Sequence, residues 1–167
     1  GWAEQSPAAY WDAFCNSTKS LLESSGSTPG QVAVVAFSGT MMAALPVDRA
    51  GAPLRDSIIW ADQRATAEVA QIARRVSPER VYAITGHRLS ASYSAAKMMW
   101  IRQNEPEVFR GAAAFIHTKD FLVLKLTGRV CTDFSDATGM NLLDIGTQEW
   151  SAEMLEATGI PASVLPE

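Results

Sequence analysis

Trp60, Asp62 and Arg64 alternate with Ala61 and Gln63 directly after the apolar pair Ile58-Ile59. An indole beside an unlike pair of charges offers what a small polar ligand needs, an apolar platform and a few convergent hydrogen-bonding groups. The same residues can equally serve the fold, with the indole packed under a helix and an Asp62–Arg64 pair capping it. Upstream, Ser38-Gly39-Thr40 breaks an apolar run before Met41 and Met42. A break there can turn backbone groups and one thioether toward a ligand. Strand neighbours face opposite ways, so the other methionine is expected to fill the core. Four carboxylates lie in motif-like settings: Asp62, Asp120, Asp133 and Asp136. Asp120 opens a helical run and reads as a cap. Asp133 and Ser135 read as turn formers, and Asp136 as a residue that fixes their loop near a cleft. None has the setting of a general base. Lys97 either meets an acidic group or is solvated, and solvation is the simpler expectation. His87 and His117 stand apart, and Cys15 and Cys131 lack metal-ligand spacing, so no zinc site is expected. Two free, buried thiols fit a cytoplasmic protein better than one disulfide.

These residues need a scaffold, and the chain is long enough for one. At 167 residues with 47% hydrophobic and 19% charged side chains, it belongs with globular domains and not with disordered segments. A net charge of −4 gives no footprint for a nucleic-acid backbone or an anionic membrane. No apolar run has the length of a spanning helix, and no signal-peptide layout opens the chain. Ser6-Pro7 starts a helix that Gly26 ends. Gln31 to Phe37 is apolar and valine-rich, which predicts a strand covered on both faces. Further strands are expected at Met41 to Val47, Ser57 to Trp60 and Ala112 to His117. Helices are expected from about Asp62 to Val76, with Ala65, Val69, Ile72 and Val76 on one face, from Ser77-Pro78 to Gly86, and at 93–103. A helix capped by Thr118 or Asp120 should end at Thr127-Gly128. Extended pieces are expected on either side of 135–139, and Trp150-Ser151 should open a last helix. Helices and strands alternate, so the class is α/β in one structural unit.

Several of these segments resemble the FGGY carbohydrate kinases, closest to the xylulokinase-like branch, in the family's own order. The stretch Ser92-Tyr-Ser-Ala-Ala-Lys97-Met-Met-Trp100-Ile-Arg-Gln-Asn104 is similar to a signature of that family. Phe37-Ser-Gly-Thr-Met-Met42 falls where the family has a Ser-Gly-Gln-Met-His-type loop at its sugar pocket. Trp60-Ala-Asp62-Gln-Arg64 matches a Trp-x-Asp-x-Arg pattern. Lys119-Asp-Phe-Leu122, Leu126-Thr-Gly128, Thr132-Asp-Phe-Ser-Asp-Ala-Thr-Gly139 and Leu143-Asp144 through Trp150 follow in order.

The resemblance implies a ribonuclease-H/actin-like α/β domain, incomplete here, as part of the first of two FGGY domains. Residues 1–167 would be a partial N-terminal sugar-binding domain, with the ATP-binding C-terminal domain absent. The implied reaction is ATP-dependent phosphorylation of a sugar or polyol hydroxyl, with ATP and Mg²⁺ held mostly by residues outside this chain. The substrate-binding residues it implies are Thr40, Met41, Met42, Trp60, Asp62 and Arg64. No counterpart is present for the family's Asp-Gly-Thr loop or for the motif that carries its catalytic aspartate, so the chain alone is not expected to transfer phosphate. Thr40 stands in place of a glutamine and Met42 in place of a histidine, which puts xylulose in doubt as the substrate. An unpaired edge at 31–37 would invite a second copy, so a homo-oligomer is possible. A non-catalytic sugar-binding or assembly module of the same fold is the alternative. A dinucleotide-binding domain is disfavoured, because no Gly-x-Gly-x-x-Gly follows a strand.

Overall fold

The helix starts and stops written in the sequence recur in a computed structural model, which describes residues 1–167. Pro7–Ser25 (α1) begins at proline and ends on Gly26, whose φ of 66° is the left-handed cap expected of glycine. The short strand Glu4–Gln5 (β1) precedes it. Then come Leu45–Val47 (β2), Ser57–Ile58 (β3), Thr66–Ala73 (α2), Pro78–Thr85 (α3), Ser94–Asn104 (α4) and Pro106–Gly111 (α5). The remainder is Ala114–Ile116 (β4), Thr118–Thr127 (α6), Phe134–Thr138 (α7), Leu143–Asp144 (β5), Glu149–Trp150 (β6) and Ala152–Thr158 (α8). Ser77 and Ser151 cap α3 and α8 by accepting from the backbone N–H of Arg80 and Met154. Pro106 does more than end α4: as the first residue of α5 it restarts the helix.

Strand alternation divides the core in two. Strands β2 and β4 run antiparallel, with Leu45 opposite Ile116 and Val47 opposite Ala114. These four side chains pack with Phe121 and Leu124 of α6, and Trp11 of α1 lies against them. Phe115, pointing the other way, joins Met98, Met99 and Ile101 of α4. Around α4 gather Ile72 of α2, Val81 and Ile84 of α3, and Met154 and Ala157 of α8. Ala65, Ile72 and Val76 are buried and Val69 is half-buried, as their spacing predicts. Helix α4 is thus the post on which the rest is hung.

Three expectations fail. Gln31 to Phe37 forms no strand and is open to solvent, with Val34 80% exposed. A strand apolar on both faces needs neighbours on both edges, and none pairs with it here. The strand expected from Met41 starts only at Leu45, because Met42 adopts φ 68° and breaks the extended run. Of the extended pieces expected on either side of 135–139, the later one carries β5, but 130–133 forms no strand; between them Asp133 Oδ1 accepts from the N–H of Asp136 and sets the first turn of helix α7. The β5–β6 hairpin and β1 carry too few residues for a periodic signal. Cys15 and Cys131 are free, as expected, but half-buried instead of buried.

Candidate functional site

The break at Ser38-Gly39-Thr40 lays its chain beside the loop that leaves β3, and a cavity of about 150 Å³ opens between them. Thr40, Met41, Ala43, Ile59 and Trp60 line it, with Gln5, Tyr10 and Thr118. Trp60 is 52% exposed, so its indole faces the opening and not the core. Tyr10 donates its hydroxyl to Gln5 Oε1 at 2.6 Å, and burial pushes its phenol upward. Apolar walls with hydroxyls and an amide at the edge suit a small hydroxyl-rich ligand. Gln5, Tyr10 and Thr118 had no signal in the sequence, since they reach this place from β1, the first turn of α1 and the start of α6. A larger groove of about 700 Å³ runs past Asp48, Arg49, Phe121, Leu124, Lys125 and Glu167, and none of the residues implied by the sequence lines it.

Of the six substrate-binding residues implied by sequence, Thr40, Met41 and Trp60 share this cavity, while Met42, Asp62 and Arg64 stand off it. Asp62 and Arg64 are occupied with each other. Asp62 Oδ1 accepts from the backbone N–H and Nε of Arg64 at 2.8 and 3.0 Å, and Oδ2 accepts from Nη2 at 2.8 Å and from the Ala3 N–H at 2.5 Å. Arg64 also pairs with Glu4 at 2.7 Å, and its guanidinium lies 4.0 Å from the Trp2 ring centre and 4.8 Å from that of Trp100. Burial alone would raise the Asp62 carboxyl, but these donors outweigh it and leave the group below the ordinary carboxylate range. The pair fastens the first residues of the chain to the loop behind Trp60.

Lys97 is not solvated. It is fully buried and donates to the carbonyls of Met42, Ile59 and Ser92 at 2.6, 2.7 and 2.6 Å. Nothing in its neighbours along the chain announces this, because the three acceptors come from separate segments.

Behind the cavity lies a buried polar chain. Ser94 Oγ donates to the carbonyl of Ala43 at 2.6 Å and lies 2.9 Å from His117 Nε2, which therefore donates to it. His117 Nδ1 faces Asp136 Oδ2 at 3.6 Å. The N-cap of α6 is His117 and neither Thr118 nor Asp120; Asp120 serves the cap from the third helical position, accepting from the His117 N–H at 2.9 Å, and burial raises its carboxyl. His117, Asp120 and Asp136 bring ligand atoms within 4.8 Å of one another, a spacing that a metal could use. Lys119 already supplies the positive charge there, 3.2 Å from Asp136 Oδ2 and paired with Asp133. Every motif carboxylate thus has a partner in a cap, an arginine or a lysine, although Asp120 Oδ1 and His117 Nδ1 have no hydrogen-bond partner; with an imidazole in the set and Lys119 beside it, the site does not fit Mg²⁺.

The fold has close counterparts. The model of the FGGY family of carbohydrate kinases, N-terminal domain, matches residues 1–167. The chain belongs to the FGGY family. The glycerol kinase of Thermococcus gammatolerans is 33% identical over all of this chain and 34% of its own length. The xylulose kinase of Escherichia coli K12 is 33% identical over 99% of this chain and 33% of its own length. The crystal structure of a xyloylose kinase from Brucella ovis superposes with a TM-score of 0.91 at 31% identity, covering 99% of this chain and 34% of that one. The chain therefore spans about a third of the length of the curated relatives it matches. The helix-and-sheet arrangement of the FGGY chain is the ribonuclease-H/actin-like α/β class that its motifs implied, present in part. None of its helices is long and apolar enough to cross a membrane.

Proposed function

We propose that this chain forms the acceptor-binding wall of a sugar or polyol kinase that uses ATP and Mg²⁺. The observation that carries the reading is the cavity between the Thr40–Met41 loop and Trp60 in a domain of the FGGY family. At about 150 Å³ it lies below the roughly 300–1,000 Å³ of pockets for drug-sized ligands, which favours a small acceptor over a nucleotide. Phosphoryl transfer needs a carboxylate or other base at the acceptor hydroxyl, a metal, and donors on the phosphates. Mg²⁺ would neutralise the charge on the transferring phosphate. The residues of this chain bind and orient the hydroxyl: Trp60 offers an apolar face, and Tyr10, Thr40 and Thr118 offer hydroxyls.

The test is ADP release by the parent protein across glycerol, keto-pentoses, aldoses and sugar acids. Turnover with one member and binding of that member without nucleotide are expected. Binding of a sugar with no turnover on any member would instead establish the non-catalytic module.

The identity of the acceptor turns partly on Met42. Histidine takes up the left-handed backbone of this position more readily than methionine does, and it returns a hydrogen-bonding group beside the cavity. Met42→His is expected to raise kcat/KM for keto-pentoses several-fold, measured against the same panel. A panel identical for both proteins would remove the Met42 side chain from acceptor recognition.

A further inference from the structure

The two walls of the cavity, and the turn before α4, are tied to one nitrogen. The ammonium of Lys97 has three N–H groups, and each meets a carbonyl from a different stretch of chain: Met42, Ile59 and Ser92. Met42 directly follows the cavity residue Met41, and Ile59 lines the cavity and precedes Trp60. Ser92 is joined to the same region through its Oγ, which accepts from Gln63 Nε2 at 2.9 Å. The carbonyl of Met42 belongs to a residue at φ 68°, a conformation that a non-glycine residue keeps only where its surroundings impose it. The long side chain that imposes it rises from α4, the most deeply packed helix of the domain.

We infer that Lys97 is a positioning residue of the acceptor site, whose ammonium fixes the Thr40–Met41 wall relative to the Ile59–Trp60 wall. The inference rests on the reading of that cavity as the acceptor site. A charged ammonium satisfies all three carbonyls, whereas a neutral amine has two N–H groups and a lone pair and must release one of them. Burial pushes the Lys97 ammonium down to about 7, nearby Asp62 opposes this, and Arg64 adds to it. The charged form predominates below that value, so the three-way tie is complete on the acid side and loosens as pH rises through about 7.

The test measures KM for the acceptor and for ATP in the parent enzyme. Lys97→Met is expected to raise acceptor KM about tenfold or more, since small misplacements at a reacting centre carry large penalties, with ATP KM unchanged. In the unmodified enzyme, acceptor KM should rise between about pH 6 and about pH 8.5, and in Lys97→Met that dependence should be gone. Lys97→Arg keeps a charge but cannot point three donors from one atom, and it should restore little. If Lys97→Met does not fold, the pH series of the unmodified enzyme decides alone, and a flat acceptor KM overturns the inference. A folded Lys97→Met with unchanged acceptor KM also overturns it. Trp60→Ala serves as the control. If it raises acceptor KM while Lys97→Met does not, only the positioning role is lost; if neither variant moves it, the cavity reading falls as well.

Discussion

Asp62→Ala is expected to lower the unfolding free energy by about 3–5 kcal/mol, the usual consequence of removing one partner of a buried ion pair. The guanidinium left behind is almost wholly buried between the Trp2 and Trp100 rings, with Glu4 as its remaining counter-charge. Cation–π attraction of about 2 kcal/mol at most for a desolvated site does not replace the carboxylate. The Ala3 N–H would lose its acceptor too, releasing the segment around Ala3 from the Trp60 loop. The measurement is the urea midpoint followed by indole fluorescence. Asp62 sits below its ordinary range when folded, so its contribution is complete above about pH 4 and is lost as pH falls through the folded value. The gap between the parent and Asp62→Asn should therefore narrow on acidification. Replacing both residues, as Asp62→Leu with Arg64→Met, should recover part of the loss, because no charge is then stranded. A change below about 1 kcal/mol for Asp62→Ala would mean that the pair is solvated and weak.

The second large effect concerns Trp60. Its indole is half exposed, so truncation should leave the fold intact, unlike an aromatic taken from the core. What is lost is the flat apolar wall of the cavity. Trp60→Ala is expected to raise acceptor KM roughly tenfold, equivalent to about 1.4 kcal/mol of binding, with ATP KM unchanged. Steady-state kinetics with each substrate varied in turn checks this. Normal acceptor kinetics together with a lowered melting temperature would reduce Trp60 to a packing role.

Local chemistry was legible in the sequence, and distant convergence was not. The proline and serine starts of α1, α3 and α8 and the glycine ends at 26, 86, 128 and 159 act within one turn of chain, so they could be read directly. The buried face of α2 followed from its period. Lys97 was misjudged because its three acceptors are spread over positions 42, 59 and 92, and only the folded chain assembles them. The run at 31–37 has the composition of a buried strand, yet composition cannot supply a neighbouring strand to pair with it. Asp62 and Arg64 carried two readings, and the geometry favours the structural one, though the pair secures the chain start rather than a helix end. Thr40, Met41 and Trp60 do come together, in company with Tyr10 and Thr118 that no motif pointed to.

The central claim is that the cavity between the Thr40–Met41 loop and Trp60 receives the phosphoryl acceptor. A crystal structure of the parent protein with its turned-over sugar or polyol, and without nucleotide, tests this most directly. The acceptor is expected against the Trp60 face, within hydrogen-bond distance of Tyr10, Thr40 or Thr118. An acceptor bound elsewhere, with only water in this cavity, would contradict it.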